Sequence, residues 1–492
     1  MGQISALWTQ TQRSIIPAYN DHVIMLVNEN FFSVYGQVLY NGGWHFPSNV
    51  KYILRVRCES GGAGNEVTLK KSTSFESNFI AYFNVESVIQ DFVKTDIDEY
   101  YNTTGHDASD INSIHMITNY HKNKANLRKF TFDVAVEYVV EGQKITIGYF
   151  AMPDNDNNVK YYNQSYYFWN AVSDHLDGET FSNILDYSTT GTNRYTLTEF
   201  PTDSSLSDDT LRQKIQKTQH HTIGFFNGGH RDHSTDTYAL ADLSSIYIKL
   251  YNANGSLVET ASITNNTTNG GWEPVANQFF KTSPDGTRGQ HGLLYFGCGP
   301  KNLTQAGHLT ASNIETGGFY TVEFFDGSSQ QAYRPLMFDI IEEDCKGYET
   351  IRLAWVNQLG TWDYYNFTKL STQTFTSNRK TYRQNYGHET NSTSDGWGYK
   401  TFNGGLQVFN NTVTQRIECN TDFITEEEAK FLKSCFTSPV VQWATINERG
   451  SYRFMPVVVR EKDYIVRSNA NDKLIQYVLE LEVGHNYRVQ RT

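Results

Sequence analysis

The densest set of potentially reactive side chains lies in His220-His-Thr-Ile-Gly-Phe-Phe-Asn-Gly-Gly-His-Arg-Asp-His233. Imidazole nitrogens and a carboxylate in that number can bind zinc or iron, and the Gly-Gly pair could fold the two ends together. The intervening Thr222 to Phe226 reads as a strand. At roughly 3.3 Å per residue it carries His220 about 30 Å or more from His230 if both stay extended. The spacing matches neither a His-Glu-x-x-His helix nor a zinc finger. His220, His221, His230, Asp232 and His233 are therefore expected to be a loop cluster holding no metal.

Other local motifs end the same way. Gly61-Gly-Ala-Gly64 lacks the helix-starting Lys-Ser/Thr of a phosphate loop, and Glu66 to Leu69 after it looks extended. Asp154-Asn-Asp-Asn-Asn158 has neither the glycine nor the glutamate spacing of an EF-hand and reads as a solvated turn. No Gly-x-Ser-x-Gly elbow appears, so nothing local marks a serine nucleophile. Paired carboxylates for glycoside hydrolysis converge only in three dimensions, which keeps a depolymerase as a third reading. No fixed short repeat of the β-helical kind accompanies it. The expectation is no catalytic, cofactor-binding or metal-binding residue.

Composition narrows the class. A chain of 492 residues with 14% aromatics, 32 Tyr and 30 Phe, and only 10 Pro fits β-sheet surfaces better than helical bundles or disorder. A net charge of −12 without a Lys/Arg cluster opposes gripping nucleic acid. No apolar run is long enough to span a bilayer, and Met1-Gly-Gln-Ile-Ser-Ala6 lacks the pattern of a secretory signal. Synthesis in the cytoplasm is expected, with no membrane insertion. Cys58, Cys298, Cys345, Cys419 and Cys435 form no Cys-x-x-Cys pair and are expected as buried free thiols. Triplets such as Asn163-Gln-Ser165 carry no glycosylation argument without a signal peptide.

The elements that would position any site fall into four stretches. Residues 1–150 read as a β-sandwich-like domain with strands Val23 to Val27, Phe31 to Leu39, Val50 to Arg57, Phe130 to Val140 and Gln143 to Phe150. Asn84 is expected to cap a short helix whose Val85, Val88, Ile89, Phe92 and Val93 make an apolar stripe. Residues 151–220 read as an aromatic and polar connector, with Tyr161 to Trp169 aromatic and Ser204 to Gln219 partly helical in pattern. Residues 221–347 read as a second sandwich, with a hairpin turning at Asn252-Ala-Asn-Gly255 and further strands at Gly292 to Gly297, Gly318 to Phe325 and Tyr333 to Ile341.

Residues 348–492 read as a β module with one wet face. Ile351, Leu353 and Trp355 share a face, Gln358 to Thr361 is a turn, and Trp362 to Phe367 with the polar Thr368 to Gln384 suggests a hairpin leaving the core. Thr425-Glu-Glu-Glu428 is a capping box starting a helix that stops at Ser438 before Pro439. Ile475, Tyr477, Leu479, Leu481 and Val483 alternate with polar residues in a final strand, against which Phe431, Leu432 and Phe436 should pack.

Taken together, Ile351 to Phe367, Asn420-Thr-Asp-Phe-Ile424, Ser438-Pro-Val-Val441 and Asn471 to Tyr477 resemble virion structural proteins of marine tailed phages, cyanophage-like ones in particular. The helix followed by two long strands is more loosely similar to the β-sandwich modules of distal-tail and baseplate-hub proteins. The resemblance implies an all-β virion protein with short covering helices, working in the tail, baseplate or an adaptor. Its partners would be other virion proteins and copies of itself. A receptor- or carbohydrate-binding module of a tail fibre is the second reading, with Tyr161 to Trp169 and Trp362 to Phe367 as platforms for a host-surface glycan.

Overall fold

A computed structural model describes residues 4–8, 15–28, 36–58, 66–73, 79–97, 113–123, 125–151, 166–172, 194–203, 206–207, 210–226, 231–232, 237–238, 243–265, 293–342, 347–385, 387–389, 397–399, 404–446, 452–461, 476–485 and 488–491. Among these the protein is all-β, with four short helices: α1 (Glu86–Phe92), α2 (Pro300–Gln305), α3 (Ala311–Thr316) and α4 (Glu426–Thr437). The chain divides into two units. One holds Met1–Ile341 and Asn357–Asp363, the other Glu342–Val356 and Tyr364–Thr492.

The first unit contains two sandwich-like cores. In the first core, strands run in the order Ile15–Pro17, Tyr166–Trp169, Leu127–Val140, Ser48–Cys58, Glu66–Ser72, with Gln143–Ala151 also on Leu127–Val140. A three-stranded sheet of Ile4–Trp8, Val23–Asn28 and Ala81–Asn84 shares its core. Tyr52, Leu54 and Val56 meet Phe130, Phe132, Val134 and Val136 inside. The period-2 pattern of this stretch therefore becomes one buried face. On the other face Asp133 receives Arg55 at 2.7 Å and Arg57 at 2.9 Å, and Glu137 receives Lys70 and Lys144. Hydrogen bonds from Lys144 and Lys70 hold Glu137 below the usual carboxylate range. Glu141 and Gly142, both with positive φ, make the two-residue turn between Leu127–Val140 and Gln143–Ala151.

Two expectations shift here. The N-cap of α1 is Val85, without a side-chain cap; Asn84 sits one residue earlier, and its Oδ1 accepts from the Glu86 amide at 3.0 Å. The apolar stripe is as expected, with Val85, Val88, Ile89 and Val93 buried. The expected strand Phe31 to Leu39 lies mostly outside the described residues, as does the Gly61–Gly64 turn.

In the second core, strands run Gln213–Gln216, Gln331–Ile341, Gly317–Asp326, Leu243–Asn252, Leu257–Thr264, and a second sheet pairs Thr222–Phe226, Leu293–Gly297 and Tyr120–Lys122. Ile246, Ile248 and Leu250 face Val322, Phe324 and Phe338 in its core. The connector 151–220 has no separate core among the described residues: Tyr166–Trp169 joins the first core's larger sheet and Gln213–Gln216 the second core's larger sheet. The helical pattern read over 204–219 gives way to that strand. Gln213 and Ile215 point inward on a period of two, and a single buried isoleucine is too weak a sequence pattern to reveal it.

The second unit's eight-stranded sheet runs Trp362–Phe367, Ile351–Val356, Val441–Ile446, Tyr452–Val459, Val478–Val483, Gly405–Asn420, Thr372–Gln384, with Arg488–Arg491 also on Gly405–Asn420. Thr425 and Glu428 form both halves of the capping box of α4, and Ser438 ends the helix. Trp355 donates its indole N–H to Ser434 Oγ at 2.8 Å and packs on Phe431 at 5.1 Å. All six residues of Ile351–Val356 are buried, so the wet face expected of the module does not include this strand. Arg352 is tolerated inside because its guanidinium donates to Asn366 Oδ1 at 3.2 Å and lies over the Tyr364 ring. The final strand begins at Val478, with Leu479, Leu481 and Val483 buried; Ile475 lies outside the described residues. Phe431 and Leu432 are buried and Phe436 half-buried.

These burials rank two substitutions. Leu479→Ala is expected to cost about 2–5 kcal/mol by leaving a core cavity. Thr425→Ala, which removes only a cap, is expected to cost about 1 kcal/mol. Denaturant unfolding of both variants measures the difference; equal costs would contradict the core placement of Leu479.

Candidate functional site

The histidine segment divides in the structure. His220 and His221 are buried immediately before Thr222–Phe226, a strand buried along its whole length. His220 Nε2 lies 3.2 Å from Gln305 Oε1, and the His221 ring meets Phe338 edge-on at 4.9 Å. The His221 amide donates to Asn302 Oδ1, while Asn302 Nδ2 donates to the carbonyls of His115 and Ile117. His220 and His221 are thus core residues, which corrects the loop expected for them. The strand after them is apolar and buried on both faces, and it draws the residues at its start inside. His230 and His233 lie outside the described residues, and Asp232 is placed only as backbone in the short strand Arg231–Asp232. Among the described residues no group of three or more His, Cys, Asp or Glu could hold a metal ion. Cys58, Cys298, Cys419 and Cys435 are buried, and burial pushes the thiols of Cys419 and Cys435 up. The acidic turn 154–158 lies outside the described residues.

The two aromatic stretches proposed as glycan platforms are core where they are described. Phe168 and Trp169 are buried, as are Trp362, Tyr364 and Phe367. Their rings meet other protein groups: Phe168 meets Phe130, Trp169 meets Phe226 and Trp362 meets His115. A sugar platform needs an open face, so these residues do not supply one.

What the sequence concealed is a buried polar network around Asn357–Asp363. Asn357 Oδ1 accepts the amides of Leu359 and Thr361, and its Nδ2 donates to Leu197 O at 3.0 Å and Asp363 Oδ2 at 2.9 Å. The carbonyls of the turn are also taken. Trp169 Nε1 donates to Leu359 O, the Val172 amide to Gln358 O, and Asn126 Nδ2 to Gly360 O. Asn126 Nδ2 also reaches the Tyr295 hydroxyl, which donates to Asp96 Oδ2, and Trp362 Nε1 donates to Asp96 O. Gly360 holds φ 76°, and a Cβ there would lie 1.8 Å from the Asn170 carbonyl oxygen. The sequence signals were a turn with one glycine; nothing in it announced burial.

Asp363, like Asp96, is a buried carboxylate enclosed in this network. It accepts from Thr198 Oγ1, from the Glu199 amide at 3.0 Å and from Asn357 Nδ2, all uncharged donors. Desolvation outweighs those bonds and pushes its carboxyl up to about 6. A buried acid whose carboxylate accepts from three fixed donors is suited to holding a turn in place, and those bonds leave it little freedom for proton transfer.

The other distinctive feature is an exposed ribbon. Thr372–Gln384 pairs with Gly405–Asn420 from Thr372↔Glu418 to Gln384↔Gly405, with one bulge at Phe409. Twelve of its thirteen residues are exposed. Its strand partner is therefore downstream, which corrects the hairpin expected with Trp362 to Phe367. Tyr382 and Phe409 pack edge-on while both stay exposed, as do Phe375 and Leu406. The strand ends the sheet order, so among the described residues its outer edge has no strand beside it.

No family model matches the sequence, and no curated protein matches it. Among solved structures the chain is similar to dimeric latent PorU from Porphyromonas gingivalis, at 8% identity and a TM-score of 0.17, over 85% of this chain and 32% of that one. The chain spans about a third of PorU's length, and a likeness this weak shows neither fold nor function.

The enclosed carboxyl gives a pH test. Its folded value near 6 lies above the ordinary 3.8, so the folded state holds the proton more tightly. The associated stability is fully present below about pH 4 and is lost as pH rises through about 6, up to roughly 3 kcal/mol. Comparing the wild type with Asp363→Asn by denaturant unfolding at pH 4 and pH 7.5 cancels the other titrating groups. The difference between the two proteins is expected to shift in favour of Asp363→Asn as pH rises; a pH-independent difference would contradict the enclosure of Asp363.

Proposed function

We propose that this chain is a structural component of a tailed-phage virion, in the tail, baseplate or an adjoining adaptor, acting through protein–protein contacts. The observation that carries the reading is the Thr372–Gln384 strand, thirteen residues of extended backbone at the edge of an eight-stranded sheet. Exposed edges of that length are templates for strand addition, and soluble proteins normally blunt or cover them. The resemblance of residues 351–367, 420–424, 438–441 and 471–477 to marine-phage virion proteins supports placing that contact in a particle. The burial of Phe168, Trp169, Trp362, Tyr364 and Phe367 takes support away from the glycan-platform reading.

The reading is tested in particles and in the isolated chain together. Mass spectrometry of purified virions should find the chain in stoichiometric amounts with other tail proteins; its absence from particles would overturn the reading. Replacing residues 381–409 by Asn-Gly should close the ribbon just beyond the Lys380↔Asn410 pair. That variant loses four of the thirteen edge residues and the far end of the ribbon, and is expected to keep its unfolding midpoint while entering particles less efficiently. Equal loss of stability and incorporation would place the ribbon in the core.

A further inference from the structure

The ribbon is also electrically distinct from the rest of the chain. Arg379, Lys380 and Arg383 are all exposed on Thr372–Gln384, and no acidic residue occurs from 372 to 384 or from 405 to 417. Among the described residues none of the three has an ion-pair partner. Arg416, at the ribbon's base, is different: it pairs with Glu480 at 3.4 Å and Glu482 at 3.7 Å. The whole chain carries −12, so −12 less the three positive charges leaves −15 on everything else.

We infer that the ribbon of one copy docks on the acidic remainder of a second copy, a head-to-tail contact that rests on the assembly reading above. Two ribbons are poor partners for each other. Parallel pairing in register would set Arg379 on Arg379 and Lys380 on Lys380. Antiparallel pairing about Asn378 separates them but still gathers six cations on two strands that carry no acid of their own. An acidic surface removes that repulsion and attracts the ribbon during encounter. The unpaired backbone edge favours a polypeptide over a glycan, because another strand matches its donors and acceptors at about 3.3 Å per residue. The same three cations repel basic edges, so they select the partner as well as attract it. A contact between two different faces does not close on itself as a dimer; it grows into a ring or an open filament.

Sedimentation velocity of the full chain over a concentration series tests this, at about 50 mM and about 500 mM NaCl, where screening lengths differ severalfold. The wild type is expected to form species larger than dimers that grow with concentration, with association at least about tenfold weaker at the higher salt. The triple variant R379E/K380E/R383E is expected to unfold at the wild-type temperature and to remain monomeric. Mixed in equal amounts with the wild type, it should shorten the oligomers, since the net-acidic remainder of the variant still accepts a wild-type ribbon. A wild type that stays monomeric, a salt-insensitive two-fold dimer, or a triple variant that associates normally would overturn the contact. So would retention on an acidic polysaccharide without self-association, which would point to a glycan ligand. A chain present in virions whose triple variant still associates would sink the ribbon contact and leave the structural reading standing.

Discussion

Backbone groups enclosed in a fold must be satisfied without water, and meeting that requirement along Asn357–Asp363, where Gln358 is exposed, Leu359 half-buried and the other five residues buried, organises much of the first unit. Each unpaired group would cost about 1–3 kcal/mol, so the network has to be complete. Asn357 caps the turn from within, while Trp169, Val172 and Asn126 satisfy its carbonyls from separate segments. These contacts tie the Leu127–Val140 and Tyr166–Trp169 region of the first core to Leu197, beside Gly224 of the second. Asp363 enters the same network as a carboxylate surrounded by neutral donors, and its displaced titration is the electrostatic consequence.

The ribbon follows the opposite rule. Among the described residues no strand lies beside its outer edge and its three cations have no ion-pair partner, and its side chains are mostly Thr, Ser, Asn and Gln with exposed aromatics between them. Water satisfies such an edge at little cost, so the fold does not need it covered. A partner strand adds contacts without requiring the core to rearrange. The chain thus combines an interior in which polar groups are committed to one another with an edge beside which, among the described residues, no strand lies.

Periodicity made the elements with one apolar face legible. Val50 to Arg57, the Glu141-Gly142 hairpin, the stripe of α1 and the capping box of α4 all follow from side-chain spacing or turn chemistry. Strands buried on both faces were harder. Ile351–Val356 hides Arg352 by satisfying it sideways, and Thr222–Phe226 draws two histidines inside. Partnering over long distances in sequence was not legible at all. Thr372–Gln384 was recognisable as an extended polar strand, but its pairing with Gly405–Asn420 depends on residues beyond any local window. The Asn357–Asp363 network joins residues up to 266 positions apart, from Asp96 to Trp362, and single-sequence spacing has no means of expressing that.

The most direct measurement of the central claim is amide hydrogen exchange, residue by residue, on the free chain and on the assembled state. In the free chain, Asn357–Asp363 should be strongly protected, and along Thr372–Gln384 the amides bonded to Gly405–Asn420 should alternate with fast-exchanging ones. On assembly the fast half of Thr372–Gln384 should become protected while Asn357–Asp363 stays as it was. A ribbon whose exchange is unchanged by assembly would contradict the account.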